Sequence, residues 1–550
     1  APTTSALANT TTGGLPPVIK LVRRLGVYSH RCQKICVLAI AALMGALLAL
    51  KPATAQDVAP TITPIVESEP NSAKRKPNIV FIFADDLGYG DVSAFGARDI
   101  KTPNIDAIAE RGARFSQFYS VSPVCTPSRA GLLTGRYPIR MGIHHVFFPG
   151  SYTGMPEDEI TIAELLQGAG YATAVIGKWH LGHHQQFLPL NQGFDEFFGI
   201  PYSNDMLPLP YMRGNEYIEH NVDQSLMTQR LTDEAVDFIE RHSDVPFFLY
   251  IPHPMPHAPI FHSKAFEGVS QRGAYGDVIE ELDASVGRIV NALETKGILN
   301  DTLLVFTSDN GPWIFMGDEG GSPGALRNGK GTTFEGGVRV PTVAMFPNVI
   351  AAGSEFAAPA FMLDWFPTIA ELAGVETPLD RVIDGETIAY ALRGETPLHE
   401  RTLFFYSHGQ IEAIRMGDWK LKRAFDSSRI PAPGVLRIFL DGEMGLESHG
   451  PLLFNLADDP SEKRDLTKKE PQRVTELEQA IAKFESELGE TPASITDTPL
   501  ELSPAVGVLI GAVIKVALII IAIMLTGVAL LAYFFGTRWR KAITKEHAAP

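Results

Sequence analysis

The stretch Val124-Cys125-Thr126-Pro127-Ser128-Arg129-Ala130-Gly131-Leu132-Leu133-Thr134-Gly135-Arg136 organises this chain of 550 residues. Ser122-Pro123, directly before it, disfavours helix. Pro127 suits a first helical position behind an N-cap at Thr126, and Gly135 suits the end of the helix. The sequence therefore predicts a short helix that begins near Pro127 and ends at Gly135.

Cys125 would then lie at the junction between loop and helix, near the positive end of the helix dipole. Thiolates and oxyanions are both stabilised in that position. Arg129 falls one turn later on the same face, where its guanidinium can hold an anion beside Cys125. Taken alone, a free cysteine is more often an inert buried thiol. The functional interpretation depends on the whole pattern, Cys-x-Pro-Ser-Arg followed by Leu-Thr-Gly-Arg.

This pattern resembles the signature of type I sulfatases, in which a dedicated enzyme oxidises the cysteine to formylglycine, an aldehyde. The resemblance implies that Cys125 is the precursor of the nucleophile. In the family, the hydrated aldehyde carries two hydroxyls, one of which attacks sulfur while the other later loses its proton and expels sulfate. A thiol or a serine would stay sulfated, because neither has such an exit.

The composition is that of a large globular protein, with 45% hydrophobic and 20% charged residues. Its formal net charge of −16 argues against nucleic acid or an anionic surface as a partner. An acidic protein that acts on an anionic sulfate must therefore concentrate positive charge locally, through a metal ion, lysines and arginines.

The first 55 residues are predicted to be an N-terminal extension and a signal peptide. Arg31 and Lys34 precede the apolar run 35–50, and Ala53-Thr54-Ala55 is a small-residue cleavage site before Gln56. An uncleaved membrane anchor is the alternative, although the apolar run is short for a span. Residues 56–76, which are polar and rich in proline, are predicted to form a linker.

Cleavage at that site would leave one cysteine in the exported protein. The chain has three cysteines, and Cys32 and Cys36 precede the cleavage site. A single remaining Cys125 cannot form an internal disulfide, so its presence in an exported protein favours a chemical role.

Strand-like and helix-like segments alternate through residues 77–375. Strands are predicted at 78–84, 171–176, 246–251 and 302–307, and helices at 104–111, 160–168, 231–241, 277–296 and 361–374. This alternation predicts an α/β catalytic domain with a large, mostly parallel sheet between layers of helices.

Each predicted strand is followed by polar residues at the sheet edge where open α/β sheets bind ligands. Asp85-Asp86 and Asp309-Asn310 offer only oxygen ligands, which favours Ca²⁺, with Mg²⁺ as the alternative. One acidic pair alone is more often a turn or a helix cap. By resemblance, Asp85, Asp86, Asp309 and Asn310 match the sulfatase metal ligands, and the modified Cys125 completes the set.

The segments after two other strands carry basic side chains. By resemblance, Lys178 and His180 bind the sulfate and steady the aldehyde hydrate, although singly they would be a surface lysine and a satisfied histidine. His257 matches the family histidine that contacts the sulfate or protonates the leaving oxygen. His253 and His262 are predicted to take no part in the reaction. The alternative left open is that the family histidine matches one of them instead of His257.

Three further positions are assigned by resemblance. Lys330 lies in the glycine-rich loop 329–339 and would reach the sulfate or the bridging oxygen. Without the resemblance, this loop would be interpreted only as a flexible turn. Arg339 is expected to have a structural role. The resemblance extends to the branch of arylsulfatase A and N-acetylgalactosamine-6-sulfatase. Ser203 and His449 fall where that branch contacts substrate, and the fold implied is alkaline-phosphatase-like.

The C-terminal part changes character. Residues 376–488 are predicted to be a subdomain with a small antiparallel sheet, whose strands are 402–406, 411–416, 419–423 and 452–456, followed by a helix at 471–488. Residues 489–504 would form a stalk.

Residues 505–535 are predicted to cross a membrane, because 516–535 is continuously apolar and only Lys515 interrupts the longer run. Basic residues in the tail 536–550 place that tail in the cytoplasm and the catalytic part outside.

The sequence thus predicts a membrane-anchored enzyme that hydrolyses a sulfate ester on the periplasmic or extracellular side. Its expected partners are a sulfated small molecule or glycan, the formylglycine-generating enzyme and the membrane, but not nucleic acid. A phosphonate or phosphate monoester hydrolase of the same superfamily is the alternative enzyme. A non-catalytic, membrane-tethered glycan-binding protein is the alternative of another class.

Overall fold

An apolar strand, Asn78–Ala84, lies at the centre of the fold with every residue buried. The computed structural model describes residues 76–220, 222–407, 409–426, 448–489 and 491–492, all within one compact unit. The strands are β1 Asn78–Ala84, β2 Ala113–Phe115, β3 Phe118–Tyr119, β4 Ala172–Lys178, β5 Glu196–Ile200, β6 Tyr211–Arg213, β7 Glu216–Glu219, β8 Phe247–Pro252, β9 Thr302–Ser308, β10 Thr342–Met345, β11 Ser354–Phe356, β12 Ala360–Phe361, β13 Thr402–Ser407, β14 Gln410–Met416, β15 Trp419–Lys422 and β16 Leu452–Asn455. The helices are α1 Pro103–Arg111, α2 Cys125–Thr134, α3 Ile162–Gly168, α4 Met227–Arg241, α5 Ala274–Thr295, α6 Glu335–Val338, α7 Trp365–Ala373, α8 Ala389–Leu392 and α9 Pro471–Leu488.

Ten strands form one mixed sheet in the order β11-β2-β10-β9-β1-β8-β4-β5-β6-β7. The five central strands, from β9 to β5, pair in parallel. Antiparallel strands β10 and β6 flank them on either side. In the central register, Ala84 lies opposite Ser308, so the residues that follow β1 and β9 emerge side by side.

Side chains alternate between two cores, one on each face of the sheet. Ile79, Phe81 and Phe83 belong to one buried cluster, where the Phe81 ring lies 5.8 Å from that of Trp365 on α7. Val80, Ile82 and Ala84 belong to the other cluster, with residues of α4 and α5. Helices on both faces explain why β1 has no polar alternation.

The second sheet is antiparallel, in the order β13-β14-β15-β16. Helix α9 covers it through buried Leu477 and Ile481, and its Phe484 ring stacks on Phe404 at 4.0 Å. The prediction of an α/β domain with a small C-terminal antiparallel sheet is therefore confirmed. Eight short strands were not predicted, and none of them is longer than five residues: β2, β3, β5, β6, β7, β10, β11 and β12.

The start of helix α2 differs from the prediction. The helix begins at Cys125 with Val124 at the N-cap, two residues before Pro127. Thr126 does not cap it, because its hydroxyl donates to the His180 carbonyl oxygen at 3.0 Å and accepts from the Phe147 amide at 3.2 Å. The predicted end is correct, since Gly135 has φ 67° and donates to the Gly131 carbonyl oxygen.

The predicted signal peptide, the linker up to residue 75, the stalk from residue 493 and the segment 505–535 lie outside the described residues. Within the part of the chain that the structure describes, no helix combines the length and apolar character needed to cross a membrane.

Candidate active site

Three strand ends and the first turn of α2 meet at one edge of the large sheet. Asp85 and Asp86 follow β1, Lys178 ends β4, and Asp309 follows β9. The Asp309 amide donates to the carbonyl oxygen of Ala84, the last residue of β1, at 3.1 Å. Parallel pairing of the strands therefore brings together side chains more than 200 residues apart in the sequence.

Asp85 is fully buried among cationic side chains. Its Oδ2 lies 2.5 Å from Lys178 Nζ and 3.3 Å from the Arg129 guanidinium, and its Oδ1 lies 3.5 Å from Cys125 Sγ. Burial opposes ionisation, but the charges of Lys178 and then Arg129 hold the pKa of Asp85 well below its usual range. Asp85 is therefore a carboxylate in direct contact with the predicted nucleophile position.

Asp86 faces a second set of partners from a left-handed backbone conformation, with φ 62°. Its Oδ1 accepts from Asn310 Nδ2 at 2.7 Å, and its Oδ2 lies 2.8 Å from Lys330 Nζ. His257 Nε2 lies 3.6 Å from the same Oδ2. This strained residue thus joins three elements at the site.

Asp309 completes the acidic group. Its Oδ2 lies 2.8 Å from the Arg129 guanidinium, and its Oδ1 accepts from the Asp86 amide at 3.1 Å. Ser128 of the Cys-x-Pro-Ser-Arg motif donates to the Asp309 carbonyl oxygen at 2.5 Å. Burial, then the charge of Asp85, raises the pKa of Asp309 to about 7, although the charge of Arg129 opposes the shift.

Cys125 is buried with 1% of its surface exposed. Burial raises the pKa of its thiol even though Lys178 and Lys330 oppose the shift. Desolvation thus exceeds the effect of the two lysines on the unmodified thiol, and the stabilisation of a thiolate or an oxyanion by the helix dipole stays a prediction. Arg129 likewise pairs with Asp85 and Asp309 rather than leaving its guanidinium for an external anion.

His180 and His257 both enter the site as neutral rings. His180 Nε2 lies 2.9 Å from the Phe147 carbonyl oxygen, which assigns its proton there and leaves the buried Nδ1 as an acceptor with no hydrogen-bond partner among the described residues. Burial, then Lys178, holds the pKa of His180 well below its usual value. Burial, then Lys330, lowers that of His257, so the expectation of an ordinary imidazole pKa does not hold before an anion binds.

The two neighbouring histidines make other contacts. His253 Nε2 lies 3.4 Å from the hydroxyl of Ser285 on α5, and burial lowers its pKa to about 4. His262 Nδ1 donates to the Ser263 carbonyl oxygen at 3.0 Å. His257, whose Nε2 faces Asp86, is the histidine of this segment that reaches the acidic group.

The two residues assigned to substrate contacts have different surroundings. Ser203 Oγ accepts from Lys178 Nζ at 3.0 Å, so it lies in the cluster. His449 pairs through its backbone with Phe425, and its ring lies 6.3 Å from that of Phe334, four residues after Lys330. In the described part of the chain, no contact joins His449 to the acidic group.

Two residues of the site, Trp313 and Asp205, were not identified from the sequence. The Trp313 ring lies 4.6 Å from Lys330 Nζ and 5.2 Å from the His257 ring. The carboxylate of Asp205 has a pKa lowered by His257 and Ser203 against the effect of burial, and its Oδ1 is buried without a hydrogen-bond partner in the described residues. Their proximity in sequence to Asn310 and Ser203 was the available signal.

The donor set fits a hard divalent cation. Ligand atoms of Asp85, Asp86, Cys125 and His257 all lie within 4.8 Å of one another. The Asn310 Oδ1, beside Asp86, is buried and has no hydrogen-bond partner among the described residues. An amide oxygen without a partner, on a side chain that contacts the Asp86 carboxylate, is a ligand that Ca²⁺ or Mg²⁺ would satisfy.

The chain matches the family model described as Sulfatase over residues 77–375, and the one described as the C-terminal region of aryl-sulfatase over residues 398–506. It therefore belongs to the sulfatase family, and the resemblance carried by the Cys125 pattern is confirmed.

Among the relatives, N-acetylgalactosamine-6-sulfatase of Sus scrofa is 40% identical over 435 residues, which cover 72% of this chain and 82% of the relative. Arylsulfatase A of Bos taurus is 39% identical over 466 residues, which cover 78% and 91% respectively. A solved Bacteroides thetaiotaomicron structure, described by its part in the metabolism of multiple glycosaminoglycans, has a TM-score of 0.69 at 29% identity and covers 75% of this chain and 100% of its own. The fold is thus the alkaline-phosphatase-like α/β fold of sulfatases, and the chain is an enzyme of the sulfatase class.

Proposed function

We propose that the protein hydrolyses a sulfate ester with a formylglycine derived from Cys125 and a divalent cation. The observation that carries the proposal is the buried contact of Cys125 with Asp85, which is itself paired with Lys178 and Arg129. A thiol with a raised pKa is a poor nucleophile. Conversion of Cys125 to formylglycine would supply the oxygen nucleophile that this position lacks.

The cation would be held by Asp85, Asp86, Asp309 and Asn310, and it would polarise the sulfate and lower the pKa of the attacking hydroxyl. The Arg129 guanidinium pairs with the carboxylates of Asp85 and Asp309. It therefore offsets the repulsion between their negative charges and fixes their positions.

The basic side chains bind and orient the sulfate. Lys178 and Lys330 approach from two sides, each now paired with a carboxylate, and their charge attracts the anionic group. His180 Nδ1, which has no hydrogen-bond partner in the part of the chain that the structure describes, would accept a hydrogen bond from a hydroxyl of the formylglycine hydrate. An arriving sulfate raises the pKa of His257, so that its Nε2 can hold the proton that the leaving oxygen receives.

The substrate is a sulfated glycan or a smaller sulfate ester. The names of the relatives, an N-acetylgalactosamine-6-sulfatase and an arylsulfatase, support this range. The structural relative linked to glycosaminoglycan metabolism favours the glycan.

We further propose that the enzyme is exported and held at a membrane. The apolar run 35–50 with its small-residue cleavage site would direct export, and residues 505–535 would anchor the chain. The basic tail 536–550 favours a cytoplasmic C-terminus, with the catalytic domain on the periplasmic or extracellular side.

The proposal is tested by turnover of matched aryl sulfate, phosphate and phosphonate esters by purified protein. We expect sulfate release to dominate, peptide mass spectrometry to find aldehyde or its hydrate at residue 125, and Cys125→Ala to lose activity while its thermal unfolding stays unchanged. Faster turnover of phosphonate or phosphate esters would favour the alternative hydrolase. Full activity of Cys125→Ala would remove the mechanism, and absence of turnover in protein carrying the aldehyde would favour a binding protein.

A further inference from the structure

Four aromatic rings form a continuous row, with His183 and His184 on the loop after β4, Tyr202 on the loop after β5 and Tyr152 on the segment before α3. The ring of Tyr202 lies 5.8 Å from that of His183, which lies 4.4 Å from that of His184. His184 in turn stacks on Tyr152 at 5.0 Å with an interplanar angle of 17°. Exposure rises along the row, from 7% at Tyr202 to 80% at Tyr152. The row therefore leads from the protein interior to solvent.

The residues at the buried end of the row are close in the chain to the proposed sulfate-binding side chains. Tyr202 directly precedes Ser203, whose hydroxyl accepts from Lys178 Nζ at 3.0 Å. His183 follows His180 by three residues, a separation that a chain spans in at most about 10 Å. The buried end of the row is thus carried by the same two loops as Lys178, His180 and Ser203, and its other end reaches solvent.

Backbone packing holds the outer rings in place. The Met155 amide donates to the Leu181 carbonyl oxygen at 2.8 Å. A Cβ built on Gly182 would lie only 2.7 Å from the Gly154 Cα, so the two segments touch through glycine. The segment that carries Tyr152 is therefore fixed against the loop that carries the two histidines, and the exposed ring is presented on a supported backbone.

The row differs in chemistry from the pocket it adjoins. Burial, then the neighbouring His184, lowers the pKa of His183 to about 4, so this ring is uncharged at neutral pH. An exposed tyrosine face with a negative quadrupole complements the slightly positive C–H face of a sugar ring. Rigid aromatic side chains supply contact area at low conformational cost. A simple aryl sulfate would end inside the pocket and leave the outer rings without a partner.

We propose that Tyr152 and His184 form a binding site for the sugar unit next to the sulfated one, and that the substrate is therefore a sulfated oligosaccharide or polysaccharide. This inference rests on the proposed sulfatase function and specifies its substrate class. Tyr152 supplies the outer stacking face, and His184 supports it from behind.

The test compares kcat/KM of the full-length protein for a sulfated disaccharide, the matching sulfated monosaccharide and an aryl sulfate. Tyr152→Ala and His184→Ala should each lower kcat/KM for the disaccharide by about threefold to tenfold, through KM, as expected for the loss of one stacking contact. Neither should change kcat/KM for the aryl sulfate or the monosaccharide. Tyr152→Phe should keep the wild-type values, because the ring is retained.

A matched control is Tyr390→Ala, since Tyr390 also stacks on a histidine, His399, but on helix α8. It should leave all three substrates unaffected. Equal loss on the aryl sulfate in Tyr152→Ala, or no loss on the disaccharide, would overturn the sugar site while sulfate release by wild type still supports the sulfatase. Absence of sulfate release from all three substrates would instead overturn the proposed function.

Discussion

At the residue scale, Trp313 links two basic side chains of the site. Its ring lies 4.6 Å from Lys330 Nζ and 5.2 Å from the His257 ring. A cation over an indole face contributes about 0.5–2 kcal/mol. Trp313 is therefore a positioning residue, which fixes the ammonium of Lys330 while Asp86 pairs with it from the other side.

We expect Trp313→Ala to lower kcat/KM for an aryl sulfate by roughly twofold to thirtyfold, the factor that corresponds to the lost cation–π contact. Trp313→Phe should restore most of the activity, since a ring face remains. Steady-state kinetics at fixed pH measures both. Trp419→Ala is the matched control, because Trp419 contacts Arg473 in the same way on the C-terminal sheet. Equal losses in Trp313→Ala and Trp419→Ala would contradict the positioning role.

Replacement of Asp309 should remove the bound cation while the protein stays folded. Asp309→Ala deletes a carboxylate at the proposed cation site, so bound cation and activity should fall together, with kcat lower by on the order of 10² to 10³. Asp309→Asn keeps an oxygen ligand and should lose less. Metal analysis of the purified variants, beside wild type, is the measurement. Stoichiometric Zn²⁺ in wild type would show the oxygen-ligand assignment to Ca²⁺ or Mg²⁺ to be wrong.

At the scale of elements, a buried charge network connects strand β15 to the loop that carries Lys330. Lys420 Nζ lies 2.8 Å from Glu335 Oε1 and 3.1 Å from Glu462 Oε1, and all three side chains are fully buried. Glu335 begins helix α6, and its amide donates to Glu462 at 2.7 Å. The C-terminal sheet thus determines where the Lys330 loop ends, which gives the second sheet a role in the site.

We expect Lys420→Met to destabilise the protein by about 3–5 kcal/mol, because it removes the buried ammonium that pairs with both carboxylates. Adding Glu335→Gln and Glu462→Gln should recover much of that loss. Urea unfolding monitored by fluorescence measures each variant. Lys483→Met, which removes an exposed pair with Glu487, should change stability by less than about 0.5 kcal/mol. Wild-type stability of Lys420→Met would refute the network.

The same network has a pH dependence of known sign. Burial opposes ionisation of Glu335, but Lys420 and Arg339 lower its pKa from 4.5 to about 2. A carboxyl with a depressed pKa in the folded state stabilises the fold above its unfolded pKa and loses that contribution as pH falls. The stability advantage of wild type over Lys420→Met should therefore shrink between pH 4.5 and about 2, and an advantage constant over this range would contradict the assignment.

At the scale of the whole molecule, the proposed topology places the catalytic domain outside the cytoplasm. Truncation near Pro504 should release a soluble and still active enzyme, because all the residues assigned to the site precede it. Protease added to intact cells or spheroplasts should cut the domain and spare a tag placed after Pro550. Cleavage of the tag with protection of the domain would reverse the orientation and remove the proposed export route.

The sequence by itself determined the class of fold and much of the site. A continuously apolar strand such as 78–84 indicates burial on both faces of a sheet, because side chains alternate between the two faces. The polar residues that follow such strands emerge at one edge of the sheet, because parallel strands run in the same direction. The motif at Cys125 identified the family for a similar reason, since its residues act within two turns of one helix.

Tertiary structure alone decided which charges meet. Lys330 pairs with Asp86 across 244 residues, and Arg129 turns to Asp309 and Asp85 instead of outward, because strand order and loop packing determine these distances. It also decided that burial raises the pKa of the Cys125 thiol in spite of the nearby charges of Lys178 and Lys330. Trp313 and the aromatic row from Tyr202 to Tyr152 could not be predicted from the sequence. Separate loops bring their rings together, and no pattern in the sequence of one loop indicates a contact with another.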